Sequence, residues 1–118
     1  MVNPISCKAD TALDVLVGKW THKILYQLIK NETMRFNELK RAITGITQKV
    51  LTAELRELEE QDIVIRKIYA QIPPKVEYSL TGYGATLIPI LEAMDQWGKN
   101  HKKHLEELAA DQERSGES

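Results

Sequence analysis

A four-residue break, Thr44-Gly45-Ile46-Thr47, stands before thirteen residues with no glycine or proline, and this pairing constrains the chain more than any other feature. Gly45 is suited to the positive φ that a tight turn often needs. Thr47 is placed to cap a helix running from Gln48 to Glu60. On that helix Leu51, Leu55 and Leu58 fall in one narrow arc, whereas Gln48, Lys49, Thr52 and Arg56 share another face. A leucine stripe facing a core, backed by amide, ammonium, hydroxyl and guanidinium groups, suits a helix whose outer side enters a DNA major groove. An ordinary amphipathic helix with a solvated polar face has the same pattern, so the flanking segments must decide.

Upstream, Phe36, Leu39 and Ile43 recur at helical spacing, with Glu38, Lys40 and Arg41 turned the other way. This is a short helix before the turn, and Met34-Arg35-Phe36 before it reads as a short strand. Further back, Leu13, Leu16, Val17, Trp20, Ile24, Leu25, Leu28 and Ile29 also keep helical spacing. Gly18 divides them into a short first helix from Asp10 and a longer second one, after an N-terminal arm that holds Cys7.

Downstream of Asp62 the period changes from helical to alternating. Ile63 to Ile72 is rich in β-branched residues, and Val76, Tyr78 and Leu80 alternate in a second run. Pro73-Pro74-Lys75 between them predicts a protruding hairpin tip. Helix, turn, helix and hairpin in that order make a winged helix-turn-helix, and the order argues for DNA binding more strongly than any single residue does. Lys75 at the tip, with Arg66 and Lys67 on the ascending strand, would meet phosphates or a minor groove; the plainer reading is a scaffold hairpin with solvated lysines.

Thr81 is expected to cap a last helix starting Gly82-Tyr83-Gly84. Its apolar positions are Tyr83, Leu87, Ile90, Leu91, Met94, Trp97, Leu105 and Leu108. Such a seam packs either on its own domain or, as favoured here, in a two-fold homodimer interface with the N-terminal helix. Two copies of one reading helix about 34 Å apart match a palindromic operator. The expected architecture is α+β and mostly helical, a single domain over residues 1–110 with added dimerisation helices and a frayed polar tail over 111–118.

Composition limits the alternatives. At 118 residues, 42% hydrophobic and 28% charged, this is one ordinary globular domain. No apolar run reaches the length of a membrane span, no secretion signal is present, and a cytoplasmic location is the simplest expectation. The net charge of −1 does not advertise nucleic-acid binding, although residues 35–75 are net positive and 92–118 net negative. A single cysteine excludes an internal disulfide and a Cys-rich zinc site. His101 and His104, with Glu107 a turn on, could share a helix face and take a divalent metal, but a solvated helix end is the expectation. No phosphate loop or nucleophile elbow appears, so neither an enzyme nor a cofactor is expected.

The sequence resembles the HxlR-type winged helix-turn-helix regulators, relatives of the MarR group. The resemblance is carried by Cys7, Gly18-Lys19-Trp20 and Arg35-Phe36-Asn37-Glu38-Leu39. It continues through Ile46-Thr47-Gln48-Lys49-Val50-Leu51-Thr52, Leu55-Arg56-Glu57-Leu58-Glu59, the run from Pro73 to Thr81, and Trp97-Gly98. Two departures are Lys8 after Cys7, where many relatives carry proline, and Gly82 after Thr81, where an acidic residue is usual. The resemblance implies a dimeric, sequence-specific DNA-binding transcription regulator that joins through its terminal helices and reads the major groove with the helix after Thr47. Gln48, Lys49 and Thr52 are the expected base readers. Arg35, Thr47 and Arg56 position the backbone, and Arg66, Lys67 and Lys75 serve the wing.

Some members of that family sense oxidants or electrophiles through a cysteine at the place of Cys7. Lys8 and a helix N-terminus near Ala9 or Asp10 favour its thiolate, whereas the plainer reading is a small buried residue. Two alternatives to a redox-responsive regulator remain. One is a winged-helix protein–protein interaction module. The other is a dimer that binds a small-molecule effector between Trp20, Tyr83, Met94 and Trp97, without redox sensing.

Overall fold

A computed structural model describes Val15 and residues 18–116. The N-terminal arm, Cys7 and the helix expected from Asp10 lie outside the described residues. The chain divides into two compact units, Met1–Thr86 and Leu87–Ser118.

In the first unit the elements run α1 (Thr21–Asn31), β1 (Thr33–Met34), α2 (Phe36–Ala42), α3 (Gln48–Glu60), β2 (Val64–Tyr69) and β3 (Lys75–Leu80). The sheet is antiparallel in the order β1-β3-β2, so β3 is its centre. Val64, Arg66 and Ile68 lie opposite Leu80, Tyr78 and Val76, while Lys67 and Tyr69 lie opposite Glu77 and Lys75. Because side chains alternate, these two sets occupy opposite faces of the hairpin.

The core forms where the helical stripes meet the inner face of the sheet. Ile24, Leu25 and Leu28 of α1, Leu39 and Ile43 around α2, and Leu51, Leu55 and Leu58 of α3 are buried with Ile46, Met34, Ile63, Val64 and Tyr78. The leucine stripe of α3 therefore faces inward, as its spacing predicts. Thr21 is the buried polar residue among the described ones, and its hydroxyl donates to Glu54 on α3 at 3.2 Å. That bond ties α1 to α3 without leaving the hydroxyl unsatisfied.

Several boundaries differ from the sequence expectation. The short strand is Thr33–Met34 instead of Met34–Phe36. Glu38 accepts the Arg35 N–H at 2.8 Å, which starts α2 at Phe36 and ends the strand. The hairpin strands are shorter than the β-branched run, because Ile63 closes α3 and residues 70–74 form the loop. Lys75 is the first residue of β3, paired with Tyr69, and is not at the tip.

Thr81 caps a 3₁₀ turn, Gly84–Leu87, and the long helix α4 begins only at Ile88 and runs to Gly116. Pro89 explains the late start: it lacks an N–H and fits the first turn of a helix. Helical geometry continues through residues 111–116, where the sequence suggests a polar tail, and Arg114 pairs with Asp111 there.

Candidate nucleic-acid interface

The joint before α3 is built as its residues require. Gly45 has φ of 87°, a region L side chains rarely adopt. The hydroxyl oxygen of Thr47 accepts the Val50 N–H at 3.2 Å, so α3 starts on a capped turn. At the other end, the Ile63 N–H donates to Leu58 O (2.9 Å) and the Asp62 N–H to Glu59 O (3.0 Å). This is a Schellman closure with Asp62 in the left-handed position at φ 62° and buried Ile63 beside buried Leu58.

The turn after α3 is clamped from behind. The Thr81 hydroxyl donates to Asp62 O at 2.5 Å and accepts the Gly84 N–H at 2.8 Å, while the Thr81 N–H donates to Ile63 O at 3.0 Å. A Cβ on Gly84 would sit 2.1 Å from Ile63 O, so only glycine allows this approach. Helix α3 is thus fixed at both ends by its caps and by the turn that follows it.

Its outward face is open. Gln48, Lys49, Ala53 and Arg56 are exposed and Thr52 half-exposed. Lys49 and Arg56 form no ion pair with another described residue. Thr52 spends its hydroxyl proton on Gln48 O at 2.8 Å, leaving its oxygen lone pairs for an outside donor. One exposed row therefore carries an amide, two cations and a hydroxyl, the groups that address base edges and phosphates.

The wing differs from the sequence picture. Arg66 lies 3.2 Å from Glu59, so it joins the hairpin to the end of α3. Lys75 lies 2.7 Å from Glu77. Lys67 and Lys75 both sit over the Tyr69 ring, at 5.3 and 5.1 Å from its centre. The hydrogen bond from Lys75 holds the Glu77 carboxyl below its ordinary value against a smaller desolvation effect, with help from the charges of Lys75 and Arg35 and from the Tyr69 hydroxyl. Arg35 is exposed at the start of α2. Reading charges one at a time misses Glu59, Tyr69 and Glu77. The signal was present: positions 75 and 77, two apart in a strand, share a face.

Outside this interface, Trp20 packs by Gly45, its ring 3.8 Å from where a Cβ there would lie, with Lys19 and Lys23 over it. Tyr83 is exposed. On α4, Trp97 stacks on His101 at 4.7 Å and His101 faces His104 at 6.4 Å. Among the described residues no group of three His, Cys, Asp or Glu is placed to hold a metal ion, and no helix is long and apolar enough to cross a membrane.

With this geometry in view, the comparisons are specific. The model of the HxlR-like helix-turn-helix family matches residues 15–106. The HTH-type transcriptional regulator YdeP of Bacillus subtilis is 45% identical over 104 residues, covering 88% of this chain and 80% of YdeP. The solved structure of the redox regulator HypR in its reduced form is 47% identical, with a TM-score of 0.78 over 84% of this chain and 97% of HypR. The reduced form of the regulator YodB from B. subtilis is 34% identical, with a TM-score of 0.70 over 82% of this chain and 91% of YodB. These relatives are transcription regulators and not enzymes. The chain belongs to the HxlR-like helix-turn-helix family of DNA-binding transcription regulators.

Proposed function

We propose that this regulator acts as a homodimer that reads a palindromic operator with two copies of α3 and changes its affinity when Cys7 is oxidised or alkylated. The observation that carries the reading is the open row of Gln48, Lys49, Thr52 and Arg56 on a helix fixed at both ends. Gln48, Lys49 and Thr52 address base edges. Thr47, Arg56 and Arg35 serve the backbone, while Lys67 and Lys75 face it from the wing; Arg66, on the hairpin's other face and paired with Glu59, braces the wing against α3.

Support for dimerisation comes from α4. Ile90, Met94, Trp97, Leu105 and Leu108 fall in one arc of that helix, and each is at least 42% exposed, Trp97 at 66%. This stripe is about 27 Å long at helical rise. A seam that long and that apolar is expected to be covered by a second copy of the chain. Support for sensing is the likeness to HypR, named a redox regulator, together with the single cysteine in the arm. With one thiol, the chemistry open to it is alkylation, a mixed disulfide, or a Cys7–Cys7 bridge between subunits. A small-molecule effector is the companion reading, and a cytoplasmic setting fits both.

The test is selection of bound duplexes from a random pool, with and without a quinone or diamide, followed by the same selection with Cys7→Ser. Enrichment of an inverted repeat supports the dimeric reader. Loss of redox dependence in Cys7→Ser supports the sensor. No enrichment from the pool overturns the operator reading.

A further inference from the structure

The wing's solvent face holds one carboxylate among its cations. Glu77 is the centre of β3, directly opposite Lys67 on β2. Lys75 lies two residues before it on the same face, 2.7 Å from its carboxylate. The Tyr69 hydroxyl is 3.5 Å away, and the Tyr69 ring underlies both Lys67 and Lys75. Arg35, at the end of the neighbouring β1, adds its charge. The Lys75 and Glu77 side chains are 30% and 19% exposed, so the pair is partly shielded but within reach of a polyanion. A carboxylate in this setting occupies Lys75 much as a DNA phosphate oxygen does: both are anionic oxygens accepting from the same ammonium.

We propose that Glu77 is a resident competitor for phosphate on Lys75, a residue that weakens sequence-independent attachment of the wing to DNA. The inference rests on the reading that the hairpin faces the duplex. In the free protein Lys75 is already neutralised, so bringing it to a phosphate requires giving up Glu77. The exchange gains less than binding by a free lysine, and the Glu77 charge left beside the phosphate opposes it further. Discrimination is thereby shifted towards the base contacts of α3, where Lys49 has no such internal partner among the described residues. Glu77 acts here as a positioning residue, through Lys75.

The experiment measures binding of the full chain to a random-sequence duplex across a salt series, for the wild type, Glu77→Gln, Lys75→Ala and the double variant. Glu77→Gln frees one cation per wing. It is expected to bind more tightly, with a log–log salt slope steeper by about 0.9 per wing. The gain is then about 3.5-fold larger per wing near 50 mM salt than near 200 mM. In the Lys75→Ala background the same substitution is expected to produce little gain.

Unchanged or weaker binding by Glu77→Gln, with an unchanged slope, overturns the proposal. A gain that persists in full without Lys75 overturns it too, since Glu77 would then act only through bulk charge. Thermal unfolding checks that the variants fold, and Glu77→Thr, a good strand former, repeats the measurement if Glu77→Gln does not. A wild type that binds no duplex at all refutes the regulator reading itself. Wild-type binding without the Glu77 effect refutes only this inference.

Discussion

Replacing Thr47 by Ala removes one hydroxyl oxygen and leaves the Val50 N–H without its partner. The expected cost is about 1 kcal/mol of folding stability, read by urea denaturation. Gly84→Ala is expected to cost more, about 3 kcal/mol, since its Cβ meets the backbone carbonyl of Ile63 and not a side chain that can turn away. Tyr78 provides a pH test. Burial, with a smaller contribution from the Glu59 charge, pushes its phenol above the ordinary 10.0. A raised value in the folded state means that the stabilisation is complete below the unfolded value and is lost as pH rises through the folded one. The melting temperature should therefore fall above about pH 10 on this account, and fall less in Tyr78→Phe.

At the scale of elements, α3 has one dry side and one open side. Gln48→Ala or Lys49→Ala is expected to weaken binding to a selected operator by about 1–3 kcal/mol, measured by titration of labelled duplex. Stability should stay within about 0.5 kcal/mol of wild type, because both residues are exposed. Wild-type affinity in both variants would remove α3 as the reader. This division was legible in the sequence, because the spacing of Leu51, Leu55 and Leu58 alone fixes which side of the rod is dry. The turn was legible for a similar reason: Gly45 and Thr47 act through their own backbone neighbourhood. The wing was less so. Arg66 reaches Glu59 in another element and Lys75 reaches Glu77 along its strand, and a lysine's partner depends on register, which composition does not reveal. The start of α4 was misplaced because Thr81 caps equally well a 3₁₀ turn or an α-helix.

For the whole molecule, the proposed pairing of two chains depends on the apolar stripe of α4. Trp97→Glu or Met94→Glu introduces a charge in its middle and is expected to shift sedimentation from dimer to monomer. Operator affinity should fall with it, while α1 to β3 keep their fold, since those elements have their own core. A variant that remains dimeric would show that the stripe is not the seam.

The freedom of the α3 outer face has a further consequence. Because caps and leucines hold that rod in place, the letters on its exposed side can be rewritten without disturbing the fold. On the proposed reading, chains of this design change the address they recognise by exchanging Gln48, Lys49 or Thr52 alone, so closely similar molecules answer to different promoters.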